Sequence, residues 1–277
     1  MRLVQIGIHP LKSAAVRPVA SASVHAAGLV DDRTWMVVDG HGRLVSAREE
    51  HTLLHVVADT PATEPGLGSA LRLRAPGLPD LAVARPDGPP VDVRLHSLDL
   101  TGLPADAAQG WVRRALGRPD VSLVFCHDPT RRRLQPGFSE DGDHTSYADG
   151  FPVTIASLAS LSRLNDWITE RALEVGEDPP EPLDVERFRP NLVVDGEVPF
   201  AEDGWSTLTV GDVPFRVAKM VDRCVMTTID PVSLTTAKEP IRTLARHRLI
   251  GGKTMFATHL VPLADGTIEV GDAVTAS

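Results

Sequence analysis

The sequence predicts a mainly β protein of the α+β class, barrel-like and carrying few helices. Short apolar, β-branched runs punctuated by Gly and Pro recur along almost the whole chain. Only three segments show a helical period, "DAAQGWVRRALG", "SLASLSRLNDWITERAL" and "PIRTLARHR". The chain has 277 residues, 42% of them apolar, enough core for one large domain or two closely packed ones.

The elements follow in order. "LVQIGIHPL", "RPVASASVHA" and "RTWMVVD" read as strands, and "DGHG" at 39–42 joins the last to "RLVSA" as a hairpin. "LRLRAPGLPDLAVA" repeats that pattern. In the first helix Asp106 is the expected N-cap, Trp111, Ala115 and Leu116 share a face, and Gly117 is the stop. After the strand "VSLVF", residues 127–148 are rich in Asp, Gly, Pro and Ser. This loop is long for a compact domain, and such loops often serve function. The second helix carries a stripe of Leu158, Leu161, Leu164 and Ile168, capped by Ser157. "GEDPPEPLD" is a proline-rich link. "NLVVDG" and "STLTVGDVPFRVAKMV" return to strands, the third helix follows with Pro240 at its first position, and "MFATHLVPL" and "TIEVGDAVT" close the chain.

Composition excludes several classes. A net charge of −9 opposes a general nucleic-acid or anionic-membrane surface, so neither partner is expected. No run approaches 18 apolar residues, and the N-terminus lacks a signal-peptide pattern. Two cysteines, Cys126 and Cys224, are too few for a disulfide framework or an iron–sulfur cluster, which favours a reducing, cytoplasmic compartment. "GGKT" at 251–254 is no phosphate-binding loop, because His247 stands where that motif needs glycine. His51 and His55 have metal-compatible spacing only on a helix, and read better as solvent-edge histidines. Arg131, Arg132 and Arg133 precede Glu140, Asp141 and Asp143, as in a charge-compensated solvated loop, or else a rim that attracts an anion. Cys126 ends an apolar strand and reads as structural.

Cys224 is less easily dismissed. It follows Arg223 directly, and a cation beside a thiol favours the thiolate, a nucleophile or soft-metal ligand; the alternative is a small buried hydrophobe. Lys12 and Ser13 in "HPLKS", Arg33 in "DDRTW", and Arg187, Arg189 and Asn191 in "RFRPN" stand at strand ends, where charges are usually solvated. Together they offer guanidinium, ammonium and hydroxyl donors for a phosphate and an amide for a heterocycle edge. Spacing alone does not show that they converge.

The stretches "YADGFPVTIASLASLSRLN", "VERFRPNLVVDGEVPFAEDGWSTLTVGDVPFRVAKMVDRCVMTTIDP" and "KEPIRTLARHR" resemble the MOSC domain, the molybdenum cofactor sulfurase C-terminal domain. "HPLKS" with "GLVDDRTWMVVDGHGRLVSAREE" resembles the β-barrel domain that precedes it in two-part members, which implies residues 1–118 as an N-terminal β-barrel-like domain packed on a MOSC β-barrel domain over 119–277. The likeness runs in order over nearly the whole chain and points to the amidoxime-reducing component family of molybdenum enzymes. It implies a molybdenum cofactor (molybdenum on molybdopterin), with Cys224 as metal ligand and catalytic centre. Lys12, Ser13, Arg33, Arg189 and Asn191 would grip the pterin and its phosphate. Asp149 and Phe151 of "ADGFP" would approach largely through backbone, and Arg223 would both line the cofactor and stabilise the thiolate. The implied activity is reduction of N–O bonds in N-hydroxylated small molecules, with electrons from a separate iron–sulfur, flavin or haem protein. Asp222 departs from the small hydroxyl residue typical before the Arg-Cys pair, placing a carboxylate beside the site. The other readings are a carrier of the cofactor or of a persulfide on Cys224, and a metal-free barrel.

Overall fold

The computed structural model describes residues 1–277. Its centre is a nine-stranded sheet in the order Val274–Ala276, Thr207–Val210, Val213–Asp222, Lys253–Pro262, Val153–Ser157, Leu192–Val194, Leu3–Ile8, Arg17–Val19, with Leu249–Ile250 beside Lys253–Pro262. Its pairs are antiparallel except Val153–Ser157 against Leu192–Val194. That parallel pair needs a crossover, supplied by the long helix of the chain. A bridge from Arg2 to Ala273 curls the sheet until its first strand meets the strand at its far edge. Alternation then decides what is inside. Leu192 and Val194 join Ile6, Ile155, Phe215 and Leu260 in the enclosed core, while Val193 faces out to a second cluster with Phe188, Phe256 and Leu164.

A four-stranded sheet, Trp35–Val38, Ser122–Phe125, Leu98–Pro104 and Val91–Leu95, carries the largest apolar cluster together with a three-stranded sheet, Val57–Asp59, Leu71–Arg74 and Leu81–Val83. Strand pairing crosses residue 118 both ways. Leu3–Ile8 pairs with Leu192–Val194, and Ser21–His25 pairs with Gly266–Glu269. In return, Ser122–Phe125 lies between Trp35–Val38 and Leu98–Pro104.

The helices are α1 (Gln109–Leu116), α2 (Leu158–Glu174) and α3 (Ile241–His247). Several details differ from expectation. Asp106 sits in a 3₁₀ turn ahead of α1 rather than capping it, while Gly117 ends α1 in the left-handed region at φ +63°. Leu158 is exposed, and the buried stripe of α2 runs through Ser160, Leu161, Leu164, Ile168 and Ala172. The face is rotated because the Ser160 hydroxyl donates to Glu202 at 2.9 Å and accepts from the Phe200 N–H at 2.7 Å. Ser157 makes no side-chain cap bond. The "RLVSA" arm pairs through a single bridge, Val38 to Leu44, because Arg43 turns to bridge Arg94 instead.

Gly28 shows how tightly the two parts meet. It adopts φ +113°, and a Cβ there would lie 2.6 Å from the Pro152 carbonyl oxygen. Gly28→Ala should therefore destabilise the fold by about 2 kcal/mol or more, from backbone strain plus displacement of Pro152. Gly66→Ala, at φ +90° with nothing within 4 Å, should cost visibly less. Thermal melts of the two variants check the order.

Candidate active site

Strand ends from both parts converge on one cavity of about 350 Å³. Lys12, Ser13, Arg33 and Arg48 come from the first part; Asp149, Phe151, Arg189, Asp222, Arg223 and Cys224 come from the second. Gln135 and Ala148 place two points of the 127–148 loop on its wall. Eight lysine and arginine side chains line it against two carboxylates, Asp149 and Asp222, in a chain of net charge −9. A larger cleft of about 690 Å³ around Ser157, Glu202 and Trp205 lacks this convergence, so chemistry rather than size selects the site.

The backbone is bent to build it. Ser13, Arg33 and Arg189 have φ of +69°, +51° and +52°, a region that side-chain-bearing residues occupy at a cost. Arg33 is locked by Asp32, by the Asn191 side-chain oxygen at 3.2 Å and by the Arg189 carbonyl at 3.2 Å. Asp32 is itself held by the His9 N–H at 2.7 Å. Asn191 corrects the sequence reading. It does not line the cavity, because its oxygen also accepts from the Thr154 N–H and its amide donates to the Gly7 carbonyl, each at 3.1 Å. It positions Arg33 from behind.

Three guanidinium nitrogens, Arg187 Nη1, Arg189 Nη2 and Arg223 Nη2, are buried without a partner. Burial pushes the Arg189 pKa down, and repulsion from Arg33 adds to it, a penalty that an anion in the cavity would relieve. Burial likewise lowers Lys12, with Asp149 working against it at 2.6 Å. Asp149 is desolvated by the cavity wall, which raises its pKa, yet Lys12, His96 and Arg48 outweigh that and hold the carboxyl well below the usual range. Burial, then Arg223 and Lys219, push His259 down to about 3, so this ring, tilted against Phe151 at 5.0 Å, stays neutral.

Cys224 is exposed, and the cation at its sulfur is not the neighbour that sequence suggested. Arg223 turns into the core, where Nε and Nη1 donate to the carbonyls of Phe256 and Phe188 at 2.7 and 2.9 Å. Arg48 reaches the sulfur instead, its Nε donating at 3.4 Å while Nη2 approaches Asp149 at 3.2 Å. No spacing signal marks Arg48, which lies 176 residues away in sequence. Asp222 is paired with Lys253 at 2.9 Å, so its charge is partly spent. Arg132 is no solvated loop residue: it is buried and donates to the Asp149 carbonyl at 2.8 Å, bracing that stretch. His51 and His55 donate to the carbonyls of Leu234 and Val232, both at 3.0 Å, and so hold the loop that follows Cys224.

The MOSC N-terminal beta barrel domain matches residues 1–119 and the MOSC domain residues 142–275. The mitochondrial amidoxime-reducing component 1 of Homo sapiens is 31% identical over 98% of this chain and 81% of its own length. The chain belongs to the MOSC-domain family of the amidoxime-reducing components. The Mus musculus component 1 is 30% identical over 98% of this chain and 80% of its length. Among solved structures, the YUAD protein from Bacillus subtilis covers 99% of this chain and 93% of its own at TM-score 0.41 and 10% identity, a distance at which no site transfers. No helix of this family member is long and apolar enough to cross a membrane.

The two cysteines of this MOSC protein are chemically opposite. Cys126 is buried with Met36, Val124 and Tyr147, and burial pushes its thiol up to about 11. Iodoacetamide at pH 8 should therefore modify Cys224 in the folded protein and spare Cys126 until denaturant is added. Arg48→Ala should slow the Cys224 reaction several-fold by removing the guanidinium from the sulfur. Intact-mass and peptide spectra over time read both outcomes.

Proposed function

We propose that this chain is a molybdenum cofactor enzyme that reduces N-hydroxylated small molecules, with electrons from a separate iron–sulfur, flavin or haem protein. The observation that carries the proposal is an exposed cysteine sulfur on the wall of a cavity that holds three buried, unpartnered guanidinium nitrogens. That donor set fits the cofactor: a thiolate for a soft metal and guanidinium groups for a pterin-linked phosphate. The names of the relatives support the substrate class.

In this reading Cys224 is the metal ligand. Arg189, Arg33, Lys12 and Ser13 hold the phosphate and pterin, and Arg223 lines the same wall. Asp149 and Phe151 shape the face built from "ADGFP". Asn191 acts at one remove, through Arg33. Asp222 modulates the site's charge only as far as Lys253 leaves it free. Residues 1–118 and 119–277 each supply one wall, so the site lies between the two proposed domains. When bound, the cofactor supplies two-electron redox chemistry; the chain supplies binding, orientation and charge. The overall change takes R–NHOH, two electrons and two protons to R–NH₂ and water, breaking N–O and forming N–H.

Protein from a host that makes the cofactor should contain close to one molybdenum per chain by elemental mass spectrometry, and Cys224→Ala should lose it. Arg189→Ala should lower the oxidised pterin's fluorescence with it. Pterin without metal in the wild type would favour a carrier, and neither group, from a host that loads a known molybdenum enzyme, would sink the proposal.

A further inference from the structure

Reduction of an N–O bond consumes two protons, yet few side chains at the cavity can exchange them near neutral pH. Asp149 is kept a carboxylate by its cations, and His259 is kept neutral. We propose that His96 is the proton-exchanging residue of this site, held in place by Asp149. The proposal rests on the function argued above.

Four observations carry it. His96 Nε2 lies 2.8 Å from Asp149 Oδ1, and because the partner is a carboxylate, Nε2 carries the hydrogen, which leaves Nδ1 as the exchanging nitrogen. The ring is partly open to solvent, with 42% of its side chain exposed. It lines an outer groove of about 540 Å³ that shares Arg48 with the cavity, and Arg48 touches both Asp149 and the Cys224 sulfur. Finally, His96 occupies the first position of the two-residue turn between Leu95 and Leu98 with φ +56°. Glycine or asparagine takes that conformation at lower cost, so the turn spends stability on an imidazole that points to the site's carboxylate.

The charged groups around the ring are few. Asp149 lies in front and Lys12 beyond it, while Arg43, Arg48 and Glu49 line the groove. Arg94 stands on the ring's own hairpin, with Nε donating to the His96 carbonyl at 3.3 Å. Glu49 is occupied by the Ser46 N–H and hydroxyl, so Asp149 is the carboxylate that holds the ring. The donor protein supplies two electrons, His96 passes a proton to the departing oxygen or the nitrogen, and solvent reprotonates Nδ1 for the second.

The test is His96→Asn, which suits the turn. It should fold with an unchanged or higher melting temperature and bind wild-type molybdenum. Its kcat on an N-hydroxylated substrate should fall on the order of 10²-fold at neutral pH, with KM changed by no more than about threefold. The pH dependence of kcat should differ between wild type and the variant. Independently of loading, cofactor-free wild-type protein should show a slowly exchanging His96 Nε2–H resonance by NMR that Asp149→Asn removes. A loaded variant with wild-type kcat and pH profile overturns the proposal, as does absence of that resonance from the wild type. Wild-type protein without molybdenum or reductase turnover would instead overturn the function on which it rests, and the NMR arm would still decide the His96–Asp149 pairing.

Discussion

The Asp149 carboxylate joins what the chain keeps far apart. Lys12 and His96 approach one oxygen at 2.6 and 2.8 Å, and Arg48 the other at 3.2 Å, so three cationic or titratable groups from the first hundred residues are fastened to the second part of the protein. Arg132 secures the same residue from behind through its carbonyl. With half of its side chain exposed, each ion pair contributes modestly to stability. The value of the cluster is geometric, since it sets where the ammonium, guanidinium and imidazole stand relative to Cys224.

A cavity that gathers eight basic side chains in an acidic protein is electrostatically costly by itself. The fold offsets part of that cost with Asp32 against Arg33 and Asp230 against Arg187 at 2.8 Å. It leaves buried guanidinium nitrogens on Arg187, Arg189 and Arg223 unmatched. Unmatched buried donors, together with left-handed backbone at Ser13, Arg33 and Arg189, are the marks of a site organised before its ligand arrives. Such a site spends folding stability so that binding an anion needs little rearrangement.

The large sheet makes this possible. It takes its outer strands from both ends of the chain, and the bridge from Arg2 to Ala273 brings its ends together. Residues 12, 189 and 223 flank strands of this curled sheet and Arg33 precedes Trp35–Val38 of the four-stranded sheet, so neighbouring sheet ends deliver them to one side. His51 and His55, read from sequence as solvent-edge histidines, hold the loop that follows Cys224 through two carbonyls.

The sequence by itself determined the strands, the three helices and the chemical types at the site, because period-2 alternation, turn residues and motif order are local properties of the chain. Lys12, Ser13, Arg33 and Arg189 stood out there only as donors at strand ends and Cys224 as a thiol beside an arginine, and the resemblance to the MOSC family was needed to gather them into one site. Only the tertiary structure decided which groups meet. It set Arg48 rather than Arg223 on the cysteine sulfur, moved Asn191 behind Arg33, buried Arg132 and brought His96 to Asp149. Each of these depends on a contact spanning 17 to 176 residues, and in the case of Arg223 on a side-chain direction set by the carbonyls of Phe188 and Phe256. Adjacency in sequence does not fix direction in space: neighbouring side chains on an extended strand point to opposite faces, so Arg223 could stand next to Cys224 in the chain and still turn away from its sulfur.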